Sequence, residues 1–343
     1  MDSRELLNAV LKREDAERTP VFLFDLSLGM DVMNIPTTDV YRSGYDGKVA
    51  GKCILALQNE LGHDIVAGSY QSVDIKAFGG EMTYPEWGIP YAKKFPFANH
   101  LDLYKYEGTD IENYMQGSLD SFSTIRSSRP DLGLMMNIPA PFSMSVMFRG
   151  LEPMLMDLVL EPGYSKELVA FGEDVMHTSI GVISNAVDLD AILMTGSSDN
   201  LDLIGQDALR KFAYPGLKSS VKFVHSCDLP IMFHPHGGLT ADEDSEKVLD
   251  ETLGMGMECL YYGEAIDSEK MKRHAEGKCS LCGGADTFTT IYLGPDERVK
   301  KDVSEYMRIH DHDYIFAASC SVDRGLSLNR MKMMVDAVRS YPL

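Results

Sequence analysis

Two histidines flank a proline at the end of an apolar run in IMFHPHGGLT, residues 231–240. Positions i and i+2 of a strand project to the same side. His234 and His236 would therefore converge on one point and offer two imidazole nitrogens to a metal ion. A thiol is available from Cys320, in the late segment IFAASCSVD, residues 315–323. Zinc takes nitrogen and sulfur in tetrahedral geometry, and a catalytic zinc keeps three protein ligands with one position open. His234, His236 and Cys320 fit that set, and Glu264 could occupy the open place until substrate displaces it. The same residues also fit a polar pocket without metal, holding two hydrogen-bonded histidines and a small buried thiol.

Other reactive side chains gather at comparable positions. Asp25 is a candidate catalytic carboxylate beside Glu264, and Asn137, Asp199 and Asn200 are candidates to hydrogen-bond a substrate. Tyr261 and Tyr262 could form an aromatic wall, with one of the pair turned away from it. In KCSLCGGAD the cysteines stand three apart, which on a strand puts them on opposite faces. Cys279 then belongs to the core and Cys282 to the site. Gly283 and Gly284 would let backbone approach a bound cofactor or phosphate. His225 and Cys227 precede the apolar run that carries His234, so they belong to the far rim. No phosphate-loop, dinucleotide or serine-nucleophile motif is present.

The elements that must position these residues are eight short apolar runs, at 20–26, 64–70, 132–138, 190–196, 229–235, 258–264, 278–284 and 313–319. Each is closed by Gly, Asp, Asn, Ser or Pro, as strands buried on both faces read. Amphipathic stretches lie between them, clearest at 163–187, 245–256 and 294–310. Eight alternations predict a (β/α)₈ TIM barrel spanning residues 1–343 as one domain, with an open doubly wound sheet as the other arrangement. A helical extension precedes the first strand, and residues 71–131 form an insertion that would cover the mouth as a lid. Active sites of such barrels form at the carboxyl ends of the strands, where most of the residues above fall.

The balance of 32 basic and 52 acidic residues, a net charge of -20, repels phosphate backbones and excludes nucleic acid as a partner. No run approaches the roughly 20 apolar residues of a membrane span, and the charged start lacks a signal-peptide core. A cytoplasmic location is expected, and the six cysteines are then thiols, ligands or nucleophiles. Most of the 21 methionines should fill core.

The segments RTPVFLF, NIPAPFSMSVMFRGLEPMLMDLVLEP, FHPHGG, GMGMECLYYGEAID, GKCSLCGGAD and ASCSVDRGLSLNRMKMMVDAV together resemble the uroporphyrinogen decarboxylase superfamily over nearly the whole chain. That resemblance implies a (β/α)₈ barrel and one of two activities, porphyrinogen decarboxylation or zinc-dependent methyl exchange with a corrinoid. The decarboxylases carry an arginine-rich segment after the first strand. Here no arginine occurs from Val21 to Tyr41, which disfavours a polycarboxylate substrate. The thiol-methylating relatives carry His-x-Cys on the fifth strand and Cys after the eighth. His234 and Cys320 match, whereas His236 stands where cysteine is expected. A neutral imidazole in place of a thiolate leaves the metal a stronger Lewis acid, suited to an oxygen ligand. The resemblance thus implies an O-demethylase: zinc on His234, His236 and Cys320, a methoxylated aromatic as methyl donor, and cob(I)alamin on a corrinoid-binding partner as acceptor. Transfer from a methylcorrinoid to a thiol or folate is the alternative, and a homodimer is compatible with either.

Overall fold

A computed structural model describes residues 1–106, 109–263, 266–310 and 313–342. Ten strands appear in chain order: β1 (Val21–Leu23), β2 (Ile65–Ala67), β3 (Glu81–Thr83), β4 (Tyr91–Lys94), β5 (Gly133–Pro139), β6 (Ala191–Asn200), β7 (Ile231–His236), β8 (Cys259–Tyr261), β9 (Ser280–Ala285) and β10 (Tyr314–Ala318). Eight of them close a parallel barrel in the order β1-β10-β9-β8-β7-β6-β5-β2, while β3 and β4 pair as a separate antiparallel hairpin. Every predicted apolar run contains one barrel strand. The predicted helices appear as Pro162–Ala186, Glu243–Leu253 and Asp296–Ile309. No described helix is long and apolar enough to cross a membrane.

The twofold period of the strands divides the apolar residues between two cores. Phe22, Ile65, Met135, Leu193, Met232, Cys259, Tyr261, Cys282 and Ile315 fill the barrel interior. Their neighbours Val21, Val66, Leu134, Met194, Phe233, Leu260, Leu281 and Phe316 pack outward against the helices. The helix Ser3–Leu11 closes the amino-terminal end of the barrel, because Leu6, Leu7, Val10 and Leu11 enter the interior cluster. A capping box between Asp2 and Glu5 starts that helix.

In a barrel of shear eight the level advances by about one residue per strand. Applied to the pairing observed here, this places Phe24, Asn137, His234 and Gly284 in the uppermost interior layer, one residue from each alternate strand. The layer is therefore partly polar, and above it lies the mouth.

The stretch 71–131 divides in two. Residues Ile111–Ser128 form the helix that connects β2 to β5, so they belong to the barrel repeat and not to an insertion. Its polar sequence, IENYMQGSLDSFSTIRSS, hides a narrow apolar stripe of Met115, Phe122 and Ile125. The insertion proper carries the β3–β4 hairpin. Its connection is held from both sides: Thr37 donates from N and Oγ1 to the carbonyls of Glu86 and Gly88, each at 2.7 Å, and the guanidinium of Arg324 lies 4.9 Å from the Trp87 ring centroid.

Candidate metal centre

The carboxyl end of β7 is shaped by its proline. Pro235 stands opposite Gly196 of β6 and has no N–H to continue the ladder. Strand β6 departs from register after Gly196 and returns at Asn200, which pairs with His236. His234 therefore points into the barrel, 1% exposed, and His236 follows on the same side at the rim. Their ring centroids are 4.5 Å apart.

Cys320, just beyond β10, completes a cluster: the donor atoms of His234, His236 and Cys320 lie within 4.8 Å of one another. The Cys320 Sγ is 4.0 Å from Nε2 of His236. Ligand atoms round a tetrahedral zinc stand about 3.5 Å apart, close to that separation.

His234 supplies the test of whether a metal fits. Its Nδ1 lies 2.7 Å from the Tyr261 carbonyl, to which it donates, and its buried Nε2 has no hydrogen-bond partner among the described residues. Burial, followed by repulsion from His236, pushes its pKa down to about 3. The ring is thus neutral, with its lone pair on Nε2. This is the form in which histidine ligates, fixed by the bond on the other nitrogen. A buried acceptor without a donor is costly unless something fills it, and a soft-to-borderline cation suits two imidazoles and a thiolate.

Tyr261 is a scaffold of this cluster and not a substrate wall. It is fully buried, its ring stacks on His234 at 4.0 Å, and its hydroxyl donates to the carbonyls of Ala318 at 2.5 Å and Cys320 at 3.2 Å. One side chain therefore braces ligands from both β7 and the β10 end. Tyr262 points the other way, to His310 Nε2 at 2.7 Å and Ser268 at 3.3 Å among the helices. Neither tyrosine reaches the mouth.

Several further expectations change on the same grounds. Gly283 and Gly284 lie within β9, where a Cβ would stand 2.8 Å from the Tyr262 ring and 2.2 Å from the Ala317 carbonyl, respectively. They permit packing between strands and present no backbone to a cofactor. Cys282 is buried in the barrel interior below the mouth, because β9 continues to Ala285. Cys279 faces the helices as expected. His225 pairs with Glu258 at 3.1 Å below the start of β7.

Asp25 is not an open carboxylate. Oδ1 accepts from the amides of Ser27 at 2.9 Å and Leu28 at 2.7 Å, and Oδ2 from the Tyr70 hydroxyl at 2.9 Å. It orders the β1 loop, although burial still pushes its pKa up to about 7 against those bonds. Asn200 caps the following helix through the Asp202 amide at 2.9 Å, which commits its Oδ1. Asn137 and Asp199 differ. Each is buried with an Oδ1 that has no partner among the described residues, while the other oxygen of Asp199 accepts from Ser143 N at 3.1 Å and Oγ at 2.5 Å. Burial pushes the Asp199 pKa up to about 6. Glu264 lies outside the described residues.

A cavity of about 350 Å³ opens beneath the hairpin. Tyr41, Tyr70, Tyr84, Tyr91, Phe95 and Met82 line much of it, and Leu26 contributes to its wall. The amide of Leu26 donates to the carbonyl of Val322, two residues beyond Cys320. The aromatic wall is thereby tied to the loop carrying the thiol. Tyr70, Ser143, Thr287 and Arg324 support the site without any local sequence signal, since each acts through a partner distant in the chain.

The sequence profile described as uroporphyrinogen decarboxylase (URO-D) matches residues 2–341. The chain belongs to this family. In this family member the barrel is similar to that of a methyltransferase from Methanosarcina mazei, with a TM-score of 0.83 and 20% identity over 99% of this chain and 98% of that one. It also resembles a B12-independent methionine synthase from Shewanella sp. W3-18-1, solved in complex with selenomethionine, at a TM-score of 0.55 and 13% identity over 94% of each chain. A putative vitamin-B12-independent methionine synthase from Listeria monocytogenes gives a TM-score of 0.55 and 13% identity over 94% of this chain and 98% of that one. These likenesses show a shared fold. Among curated proteins no sequence match was found.

Proposed function

We propose that this family member is a zinc-dependent methyltransferase that takes a methyl group from a methoxylated aromatic and passes it to the cob(I)alamin of a corrinoid-binding partner. The observation that carries the reading is the convergence of His234, His236 and Cys320 at the mouth, with Nε2 of His234 buried and unpaired among the described residues. The likeness to the Methanosarcina methyltransferase supports methyl transfer over decarboxylation, as does a cavity whose lining contains no arginine or lysine to hold polycarboxylates. Zinc held by these three residues would supply Lewis acidity toward an ether oxygen.

The chain's own residues bind and orient. The Tyr261 carbonyl keeps His234 neutral and its Nε2 bare, and the Tyr261 hydroxyl braces the Cys320 loop. The tyrosines under the hairpin seat an aryl ring, limiting the methyl group to few orientations. The bond that forms joins the methyl carbon to cobalt(I) of the partner's corrinoid, which contributes the electron pair. The bond that breaks is C–O, whose pair leaves with the phenolate, protonated later by water.

The test is incubation of the zinc-loaded chain with cob(I)alamin and a panel of aryl methyl ethers. Methylcobalamin should accumulate, and should not in His234→Ala. Demethylation of methylcobalamin by an added thiol, with no reaction of any ether, would instead establish transfer in the opposite direction.

A further inference from the structure

The pocket also restricts which methyl ether it takes, an inference that rests on the reading above. No lysine, arginine or histidine lines the cavity beneath the hairpin, and its one charged lining residue is Asp74. The ammonium of Lys76 lies 5.2 Å from the Tyr84 ring centroid and is paired with Asp74 at 3.3 Å. At the mouth, the unpaired Oδ1 atoms of Asn137 and Asp199 belong to β5 and β6, and Asn137 shares the uppermost interior layer with His234. Both side chains are more than nine-tenths buried.

These are hydrogen-bond acceptors awaiting a donor. A ligand hydroxyl would satisfy them, whereas a carboxylate would set oxygen against oxygen, with no cation to compensate. The net charge of -20 adds repulsion for any approaching anion. We infer that the methyl donor is an uncharged aryl methyl ether carrying a hydrogen-bond donor, a methoxyphenol rather than a methoxybenzoate. Its ring lies against the tyrosine wall and its free hydroxyl donates to Asn137, with Asp199 as the neighbouring acceptor.

The experiment compares 2-methoxyphenol, 2-methoxybenzoate and methoxybenzene as donors to cob(I)alamin with the zinc-loaded full chain. The expected result is a kcat/KM for 2-methoxyphenol at least about tenfold above that of either other compound. In Asn137→Leu the ratio of 2-methoxyphenol to methoxybenzene should collapse toward one. Equal or better use of 2-methoxybenzoate overturns the inference and leaves the methyl-transfer reading standing, and an unchanged ratio in Asn137→Leu overturns the role of that acceptor. If no ether reacts, the methyl-transfer reading fails, and calorimetric titration with the same compounds decides the pocket's preference. Tighter binding of 2-methoxyphenol upholds it; equal or reversed affinities overturn it.

Discussion

Replacing Tyr261 by phenylalanine removes one oxygen atom and leaves the ring on His234. The lost hydroxyl serves the carbonyls of Ala318 at 2.5 Å and Cys320 at 3.2 Å, in a place without solvent. Leaving a buried acceptor without its donor costs about 1–3 kcal/mol, while the stacking, worth about 0.5–1.5 kcal/mol, is retained. Part of that loss falls on overall stability and part on the position of Cys320. Outer partners of metal ligands are typically worth about 10–100-fold in affinity, or about 1.4–2.7 kcal/mol at 1.4 kcal/mol per decade. The two ranges overlap, so Tyr261→Phe should weaken zinc binding by about tenfold or more. Competition against a chromogenic chelator measures it, and the absorption of the cobalt(II)-substituted protein should change as the sulfur moves. A variant whose melting temperature falls while zinc affinity and cobalt spectrum stay as in the wild type would refute the reasoning, and would make Tyr261 an ordinary core residue.

Elemental analysis of the native protein should find about one zinc per chain, lost in both His234→Ala and Cys320→Ser. His236→Cys should shift reactivity from ethers toward thiols, read as faster demethylation of methylcobalamin by an added thiol, because a second thiolate makes zinc electron-rich. Asp25 binds its proton more tightly folded, at about 7, than at its ordinary value of 3.8. Its contribution is thus fully present below about pH 4 and lost as pH rises through about 7. The melting temperature of the wild type should therefore fall relative to Asp25→Asn across that window. Trp87→Ala removes the face that meets Arg324, an interaction worth about 0.5–1 kcal/mol where exposed. Limited proteolysis should cut the hairpin faster, with little change in melting temperature.

The barrel was legible because a strand buried on both faces must be apolar at every position, and all eight runs advertised this. His234 and His236 were legible because they interrupt such a run with the strand's own period. Parity could also sort Tyr261 from Tyr262, but not depth: an inward residue in a closed barrel is core unless it lies in the last layer. Cys282 and the Gly283–Gly284 pair were misplaced for the same reason, since the end of β9 lies at Ala285. The helix Ile111–Ser128 was merged with the insertion because its exposed face is nearly all polar. Arg324, which joins Asp31 at 2.7 Å, Thr37 at 3.1 Å and the Trp87 ring, has no local pattern at all. Such partners become visible only when the chain has folded.

The division of the three donors between β7 and the end of β10 also sets an order of assembly. The two histidines exist once the fifth barrel strand has left the ribosome, but Cys320 emerges only with the strand that seals the ring against β1. A nascent or truncated chain therefore presents half a binding site. Stable retention of the ion would come last in biogenesis, as a chemical mark that distinguishes a finished barrel from every shorter intermediate.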